Sequence, residues 1–206
     1  IDAGSFQKTI FHSYRTGFDY DFSKNHRLSI VYNGEWYKSR SHNSMKGNEV
    51  SDSWSARHEY LHNVKMDYEV PFGLKAGMDY TYFDNPQDQI LQGSLNETTR
   101  DLTSNSGQRI NKWLFYLSQE HSLKNGWGLN YGAKLNLTSN KSYQRCKDAQ
   151  GNQVPESNST SNIDEKSVNF YAGFNKSFGD KFSVDASLAA EYYHTNVWND
   201  WNLFPT

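Results

Sequence analysis

Two histidines and a trio of oxygen-bearing side chains are the first candidates for metal chemistry. His58 and His62 are four positions apart in a stretch whose alternation of apolar and polar residues indicates a β-strand. Four residues of strand span about 13 Å, too far for both rings to bind one metal ion, so surface or interface positions are favoured. Asp84, Asn85 and Asp88 offer oxygen ligands for calcium, but no EF-hand pattern forms around them. We therefore predict a solvated turn there, with no metal site and no cofactor.

A single cysteine and six carboxylates are the remaining reactive groups. Cys146 lies between Arg145 and Lys147 in a polar segment that we interpret as a loop, but the segment places no base beside the thiol. The carboxylates share one face of their predicted strands with several lysines, so ion pairs lining an interior are favoured over an acid–base pair. These residues are Glu59, Asp67, Glu69, Asp79, Asp185 and Glu191, with Lys65, Lys75 and Lys134. No glycine-rich phosphate loop or Ser-His-Asp order at a recognisable turn is present, and we predict that the chain is not an enzyme.

Four aromatic residues near the end of the sequence suit stacking on a sugar ring. They are Tyr193, Trp198, Trp201 and Phe204, and the segment 197–206 is too irregular for a strand assignment. Aromatic rings also gather at the two interfaces of a membrane barrel. Two interpretations stay open: a ligand site formed by loop aromatics, or a girdle at a membrane interface, which is favoured.

The composition restricts the class of protein. Of 206 residues, 35% are hydrophobic and 16% aromatic, and the net charge is −2. With a pI near 6.4 and no basic stripe, nucleic acid is not an expected partner. The mean hydropathy of −0.89 and the lack of a long apolar run exclude a helical membrane bundle, but they leave room for a β-barrel with a polar lumen. Ile1–Gly4 lacks the features of a signal peptide, so we expect a mature chain or a fragment.

The elements that must position these side chains are long β-strands. Val168–Tyr193 alternates apolar and polar residues on both sides of a turn at Phe178–Lys181, which predicts an antiparallel hairpin. Its second arm alternates for about twelve residues, whereas strands of globular proteins usually have about five or six. A strand that crosses a bilayer needs about nine to eleven. Six earlier strands are predicted at 6–20, 27–38, 54–70, 74–82, 109–121 and 127–137.

The predicted connections alternate between short turns and long polar loops. Short turns follow the odd-numbered strands, and long loops at 39–53, 84–107 and 141–164 follow the even-numbered ones. In a meander this puts all long loops at one end, which is typical of an outer-membrane barrel and has no physical reason in a soluble sandwich. We therefore predict an all-β fold, an antiparallel up-and-down meander of about eight long strands that forms part or all of an outer-membrane β-barrel, with residues 1–206 as a single segment.

The apolar side of this meander is predicted to face lipid. The residues predicted to face lipid are apolar positions within the predicted strands: Leu28, Ile30, Val64, Met66, Met78, Leu129, Leu135, Phe170, Phe174, Val184 and Leu188.

The hairpins and the end of the chain resemble the barrel portion of TonB-dependent outer-membrane receptors. The resemblance rests on segments such as Ser177–Phe182 and on the terminal Asn202–Thr206. It is greatest for the outer-membrane β-barrel family abundant in Bacteroidetes, in which such terminal segments lead into a further strand, so this chain looks like a piece of a larger barrel.

The resemblance implies a function in the bacterial outer membrane. Such receptors take up a scarce ligand with energy supplied by TonB from the inner membrane. The implied partners are outer-membrane lipid, the TonB system through a plug domain that nothing in this sequence matches, and a small ligand or glycan that the sequence does not identify. The alternatives are a soluble secreted β-sheet module that binds glycans through its loop aromatics, and a structural surface protein.

Overall fold

A single antiparallel sheet contains all the strands in the described part of the chain. The computed structural model describes residues 2–47, 49–95, 98–178 and 181–201, and its strands follow one another across the sheet in chain order. They are β1 (Asp2–Ser23), β2 (His26–Lys46), β3 (Glu49–Glu69), β4 (Leu74–Leu95), β5 (Thr98–Ser122), β6 (Trp127–Asp148), β7 (Ser159–Phe178) and β8 (Phe182–Trp201). The predicted all-β meander of eight strands is confirmed.

The strands are about twice as long as the sequence predicts. They contain 20 to 25 residues each, and residues predicted to form the long loops pair with neighbouring strands. Ser39 opposite Arg57 and Asn85 opposite Gln108 are examples. The predicted loops at 39–53 and 84–107 are therefore wrong, and only 149–158 of the third is a true connection. The sequence misses these extensions because polar and charged residues occupy both faces there, so the alternation of apolar and polar residues stops.

The connections define the two ends of the sheet. Four connections lie at the turn end, and their described residues are 24–25, 70–73, 123–126 and 181. Three connections lie at the far end, with residues 47 and 149–158 described. Lys124–Gly126 and Pro155–Ser157 form short turns of 3-10 helix. Asn25 and Asn125 adopt the left-handed conformation at φ 60° and 61°, which Asn tolerates better than most residues. Gly179 and Asp180 of the predicted hairpin turn lie outside the described residues.

Direct strand pairing fixes which residues share a face. In the hairpin of β7 and β8, Val168 lies opposite Tyr192 and Phe174 opposite Ala186, as the alternation predicts. The same pairing continues through every neighbouring strand, so each residue is assigned to one of two faces. We call the face that contains Ile30 the banded face and the opposite one the polar face.

Tyrosines cover glycines on neighbouring strands at four places in the sheet. The directly opposed pairs are Tyr14 with Gly34, Gly77 with Tyr116, Gly107 with Tyr143, and Gly132 with Tyr171. A Cβ atom on any of these glycines would overlap the tyrosine side chain. Aromatic cover of a glycine is a known device for pinning the register of a strand pair. Three of these pairs lie in the half of the sheet next to the turn end, and Gly107 with Tyr143 lies in the far half, so they help to fix the register in both halves.

The sheet does not bury a core of its own. Among the described apolar residues only Cys146 is buried, at 6% exposure, and no described side chain falls below 2%. Large apolar residues such as Leu188, 83% exposed, and Phe170, 60% exposed, stand open. The described part of the chain also shows no pairing between β1 and β8. A single sheet with this much open apolar surface is stable only if something else covers the banded face.

No helix among the described residues is long and apolar enough to cross a membrane.

Candidate functional site

A continuous apolar band crosses the banded face from β1 to β8. One row of directly paired residues shows its character: Phe18, Ile30, Met66, Met78, Phe115, Leu135, Val168 and Tyr192. All eleven residues predicted to face lipid lie on this face. The band is therefore a property of the whole sheet, and every strand contributes to it.

The band occupies only the half of each strand next to the turn end. On β4 it runs from Leu74 to Tyr82 and is followed by Asp84, and on β8 it runs from Phe182 to Tyr192 and is followed by His194. By their numbering these stretches contain nine and eleven residues, which is the length of strand that crosses a bilayer. Beyond the band the strands continue for about as many residues again, so the far half of the sheet projects past it.

Aromatic rings mark both borders of the band. On the far side lie Trp36, Tyr60, Tyr82 and Trp113, and on the turn side lie Tyr20, Tyr68, Trp127, Phe178 and Phe182. Neighbouring rings contact one another, as between Tyr80 and Trp113 with centroids 4.3 Å apart. Two such rows are the arrangement of aromatic girdles at the interfaces of a membrane barrel.

Most histidines of the chain pack against aromatic rings of the banded face. All seven histidines of the chain lie on the banded face, and most contact an aromatic ring. His12 stacks on Trp36 with centroids 5.4 Å apart, and His62 shares a 2.7 Å hydrogen bond with the hydroxyl of Tyr32. His58 packs edge-on against Tyr60. The structure thus gives His58 and His62 separate aromatic partners, and we expect them to act as interface residues.

The three oxygen-bearing residues Asp84, Asn85 and Asp88 of β4 do not meet at one site. Asp84 and Asp88 lie on the banded face, where they bond Arg109 and Asn105, whereas Asn85 lies on the polar face and accepts a hydrogen bond from Arg57. The predicted turn is wrong, because all three are strand residues. No cluster of metal-ligating side chains occurs among the described residues.

Cys146 is also a strand residue and not the loop residue predicted. It lies near the end of β6, and its backbone N–H donates to the side-chain oxygen of Asn158 at 2.8 Å. Only 6% of the residue is exposed. Since the connection 149–158 folds back over it, the thiol is shielded in the folded chain.

Charged residues gather on the polar face beside the band. All six predicted interior carboxylates lie on this face. Lys65 pairs with Asp67 at 3.1 Å and Lys75 with Glu69 at 3.6 Å, as predicted. Among the described ion pairs Lys134 has none, and Glu59 pairs with Arg57 instead. The sheet therefore separates an apolar surface from a charged one across a single layer of backbone.

The four aromatic ligand candidates do not form one loop site. Tyr193 and Trp198 lie on β8, with Tyr193 on the polar face and Trp198 on the banded face. Trp201 is the last residue of that strand, and Phe204 lies outside the described residues. The predicted irregular segment is strand up to Trp201, so the loop assignment is wrong there. The hydroxyl of Tyr193 donates a 2.5 Å hydrogen bond to Oε1 of Glu165 on the neighbouring strand β7.

Several solved structures of outer-membrane proteins are similar to this chain. The ferric preacinetobactin receptor BauA from Acinetobacter baumannii is similar at 8% identity with a TM-score of 0.54, over 98% of this chain and 42% of that one. The ferric citrate transporter FecA, at 13% identity and a TM-score of 0.48, matches 92% of this chain and 35% of its own. The ferric yersiniabactin uptake receptor FyuA from Yersinia pestis, at 9% identity and 0.47, matches 93% and 36%. The chain thus spans well under half the length of these proteins, and BauA shows a shared fold.

No curated protein matches the sequence. The model of the outer membrane protein beta-barrel family, however, matches residues 73–202, which is more than half of the chain and covers β4 to β8. The chain belongs to this outer membrane protein beta-barrel family and is located in the bacterial outer membrane.

Proposed function

We propose that these eight strands form part of the wall of a larger outer-membrane receptor that takes up a scarce ligand in a TonB-dependent manner. The observation that carries the proposal is the apolar band, which is nine residues deep on β4 and eleven on β8 and is bordered by aromatic rings. A bilayer covers a surface of this kind and supplies the burial that the sheet itself lacks.

In this proposal the banded face meets lipid and the polar face lines the lumen. Leu28, Ile30, Val64, Met66, Met78, Leu129, Leu135, Phe170, Phe174, Val184 and Leu188 are the lipid-facing residues. The far halves of the strands then project from the membrane as hairpins. Outer-membrane barrels have short periplasmic turns and longer external segments, so the turn end lies in the periplasm.

The open edges support a larger barrel. β1 and β8 expose unpaired backbone groups along about twenty residues each, and a membrane tolerates no such edge within its apolar layer. We assign further strands of the same protein to these edges and a plug domain to the lumen, through which TonB acts. The wall itself acts as a transporter and not as an enzyme, in the manner of receptors abundant in Bacteroidetes.

The soluble glycan-binding module is not favoured as an alternative. Its secreted form conflicts with the outer-membrane location, and its proposed aromatics lie on opposite faces of β8. Binding of a glycan by the receptor is a separate question and depends on the polar face.

Fractionation and genetics test the proposal together. Membranes from cells producing the full-length protein are washed with sodium carbonate, and the protein is run on a gel with and without boiling. We expect retention in the outer-membrane pellet and faster migration of the unboiled protein. Deletion of the receptor and deletion of TonB should then impair growth on the same limiting nutrient. Release by carbonate, or a growth defect independent of TonB, would contradict the proposal.

A further inference from the structure

The polar face changes character beyond the band. Three rows of directly paired residues occupy this region, and we call them the far polar wall. They are Phe11, Tyr37, Glu59, Asn85, Gln108, Ser142, Ser161 and Asn199; then Thr9, Ser39, Arg57, Gln87, Ser106, Gln144 and Ser159; then Gln7, Ser41, Ser55, Gln89, Ser104 and Cys146. Almost every member is a neutral amide or hydroxyl residue.

Charge is nearly absent from this wall. Its only charged members are Arg57 and Glu59, which pair with each other and so cancel. At the same height the banded face has many charges: Lys8, Lys38, Arg40, Asp84, Asp88, Arg109, Lys141, Arg145 and Asp200. Both faces lie beyond the band, so solubility alone favours charges on both. At the height of these three rows, however, charge is concentrated on the banded face, which indicates that neutrality is a property of the far polar wall and not of the far half as a whole.

The amides of the wall are held in place by neighbouring hydroxyls. Gln87 Nε2 donates to Ser55 Oγ at 3.2 Å, and Gln7 Nε2 donates to Ser39 Oγ at 3.3 Å. Gln108 Nε2 similarly donates to Asn140 Oδ1 at 3.1 Å. A primary amide has two N–H donors and a carbonyl with two lone pairs, so each of these contacts leaves most of that capacity for another molecule. The side chains are oriented before any ligand arrives, which lowers the entropy cost of binding.

Apolar side chains adjoin this neutral wall. Phe11 lies directly opposite Tyr37 and is 55% exposed. The next row toward the turn end contains Leu61, Phe83 and Ile110 side by side on three neighbouring strands. The lumen surface at this height thus combines oriented amides and hydroxyls with exposed rings and an apolar strip.

We propose that the far polar wall binds a neutral oligosaccharide and that this class of ligand is what the receptor takes up. A sugar presents hydroxyls, which pair with amide and hydroxyl groups, and C–H faces, which pack on rings such as Phe11. An anionic metal chelate requires Arg or Lys for charge-assisted hydrogen bonds, and the wall has only one arginine, already paired. This inference rests on the proposed function, because it requires the polar face to line the lumen of a receptor.

Titration calorimetry on the purified full-length receptor in detergent tests the ligand class. The probes are neutral oligosaccharides of glucose, mannose, xylose and galactose, with ferric citrate as the anionic comparison. We expect at least one oligosaccharide to bind and ferric citrate not to bind. The double variant Gln87→Met/Gln108→Met keeps the side-chain length but removes the amides, and it should weaken binding about tenfold, since each net hydrogen bond accounts for a few-fold.

Lys38→Gln is the control on the banded face, because it removes a charge at the same height without altering the far polar wall. It should leave oligosaccharide binding unchanged. All variants are first checked for the mobility shift of the unboiled barrel, so that a folding defect is recognised. Absence of binding by every oligosaccharide, preference for ferric citrate, or an equal loss in Lys38→Gln would overturn the proposal. These outcomes are distinct from failure of the proposed function, which appears as release from the membrane in carbonate.

Discussion

Replacing Leu188 by arginine tests whether the banded face meets lipid. Leu188 is 83% exposed and lies within the band of β8 that runs from Phe182 to Tyr192. With a rise of about 3.4 Å per residue and a tilt of about 40°, this stretch spans roughly 26 Å along the membrane normal. Leu188 then lies about 16 Å above Phe182, close to the midplane. An arginine there costs roughly 2–4 kcal/mol in a membrane barrel, a factor of about 30 to 1,000 in the folding equilibrium.

The assay is assembly into the outer membrane, measured by carbonate wash and by the mobility shift of the unboiled protein. We expect Leu188→Arg to reduce the folded fraction strongly. Ala186→Arg and Ala189→Arg form the matched pair, because they make the same change on opposite faces of one strand. Ala186→Arg should impair assembly and Ala189→Arg should be tolerated. If both alanine variants assemble equally well, or if Leu188→Arg behaves like the wild type, the assignment of the banded face to lipid is wrong.

Three further predictions concern the polar face and the far end of the sheet. Gly132→Ala should impair assembly more than Gly107→Ala. The new Cβ at Gly132 would overlap a backbone carbonyl of β5, whereas the new Cβ at Gly107 meets only a tyrosine ring that can move. The amount of the unboiled, folded band on a gel compares the two variants, and equal losses would contradict this steric difference. Desolvation raises the pKa of Asp148, but hydrogen bonds from Asn152 and Gln150 outweigh it, so this pKa lies below its ordinary value. The turn should therefore keep its protection against hydrogen exchange above about pH 4 and lose it as the pH falls through the lowered pKa; a loss of protection well above pH 4 would oppose this. Cys146 should react slowly with maleimide in the folded chain and rapidly in denaturant, and fast labelling of the folded protein would show that the connection 149–158 does not shield it.

The membrane half of the fold could be predicted from the sequence because two different solvents act on its two faces. Within the band, apolar residues on one face alternate with polar residues on the other, and both arms of Val168–Tyr193 show this pattern, with Lys176 near the turn as an exception on the banded face. The short turns at 70–73 and 123–126 contain Pro, Asn and Gly residues, which favour turns. Both features are local, so a single sequence contains them.

The far half could not be predicted, because both of its faces are polar. From Ser39 onward β2 has no alternation to identify a strand, and its pairing with β3 depends on the backbone hydrogen bonds that continue from the band. The far polar wall depends on this pairing: Gln87 lies beside Ser55 only because β3 and β4 remain in register past Asp84. The neutral character of the wall therefore appears only when the register is known.

A fluorescence scan along β8 tests most directly whether the banded face meets lipid. In a full-length protein with Cys146→Ser, single cysteines are introduced at six consecutive positions, labelled with an environment-sensitive dye, and reconstituted in lipids brominated on their acyl chains. The positions are the six residues of the segment Ala186–Glu191. We expect strong quenching at 186, 188 and 190 and weak quenching at 187, 189 and 191. Uniform quenching, or the opposite alternation, would contradict the assignment of the banded face to lipid.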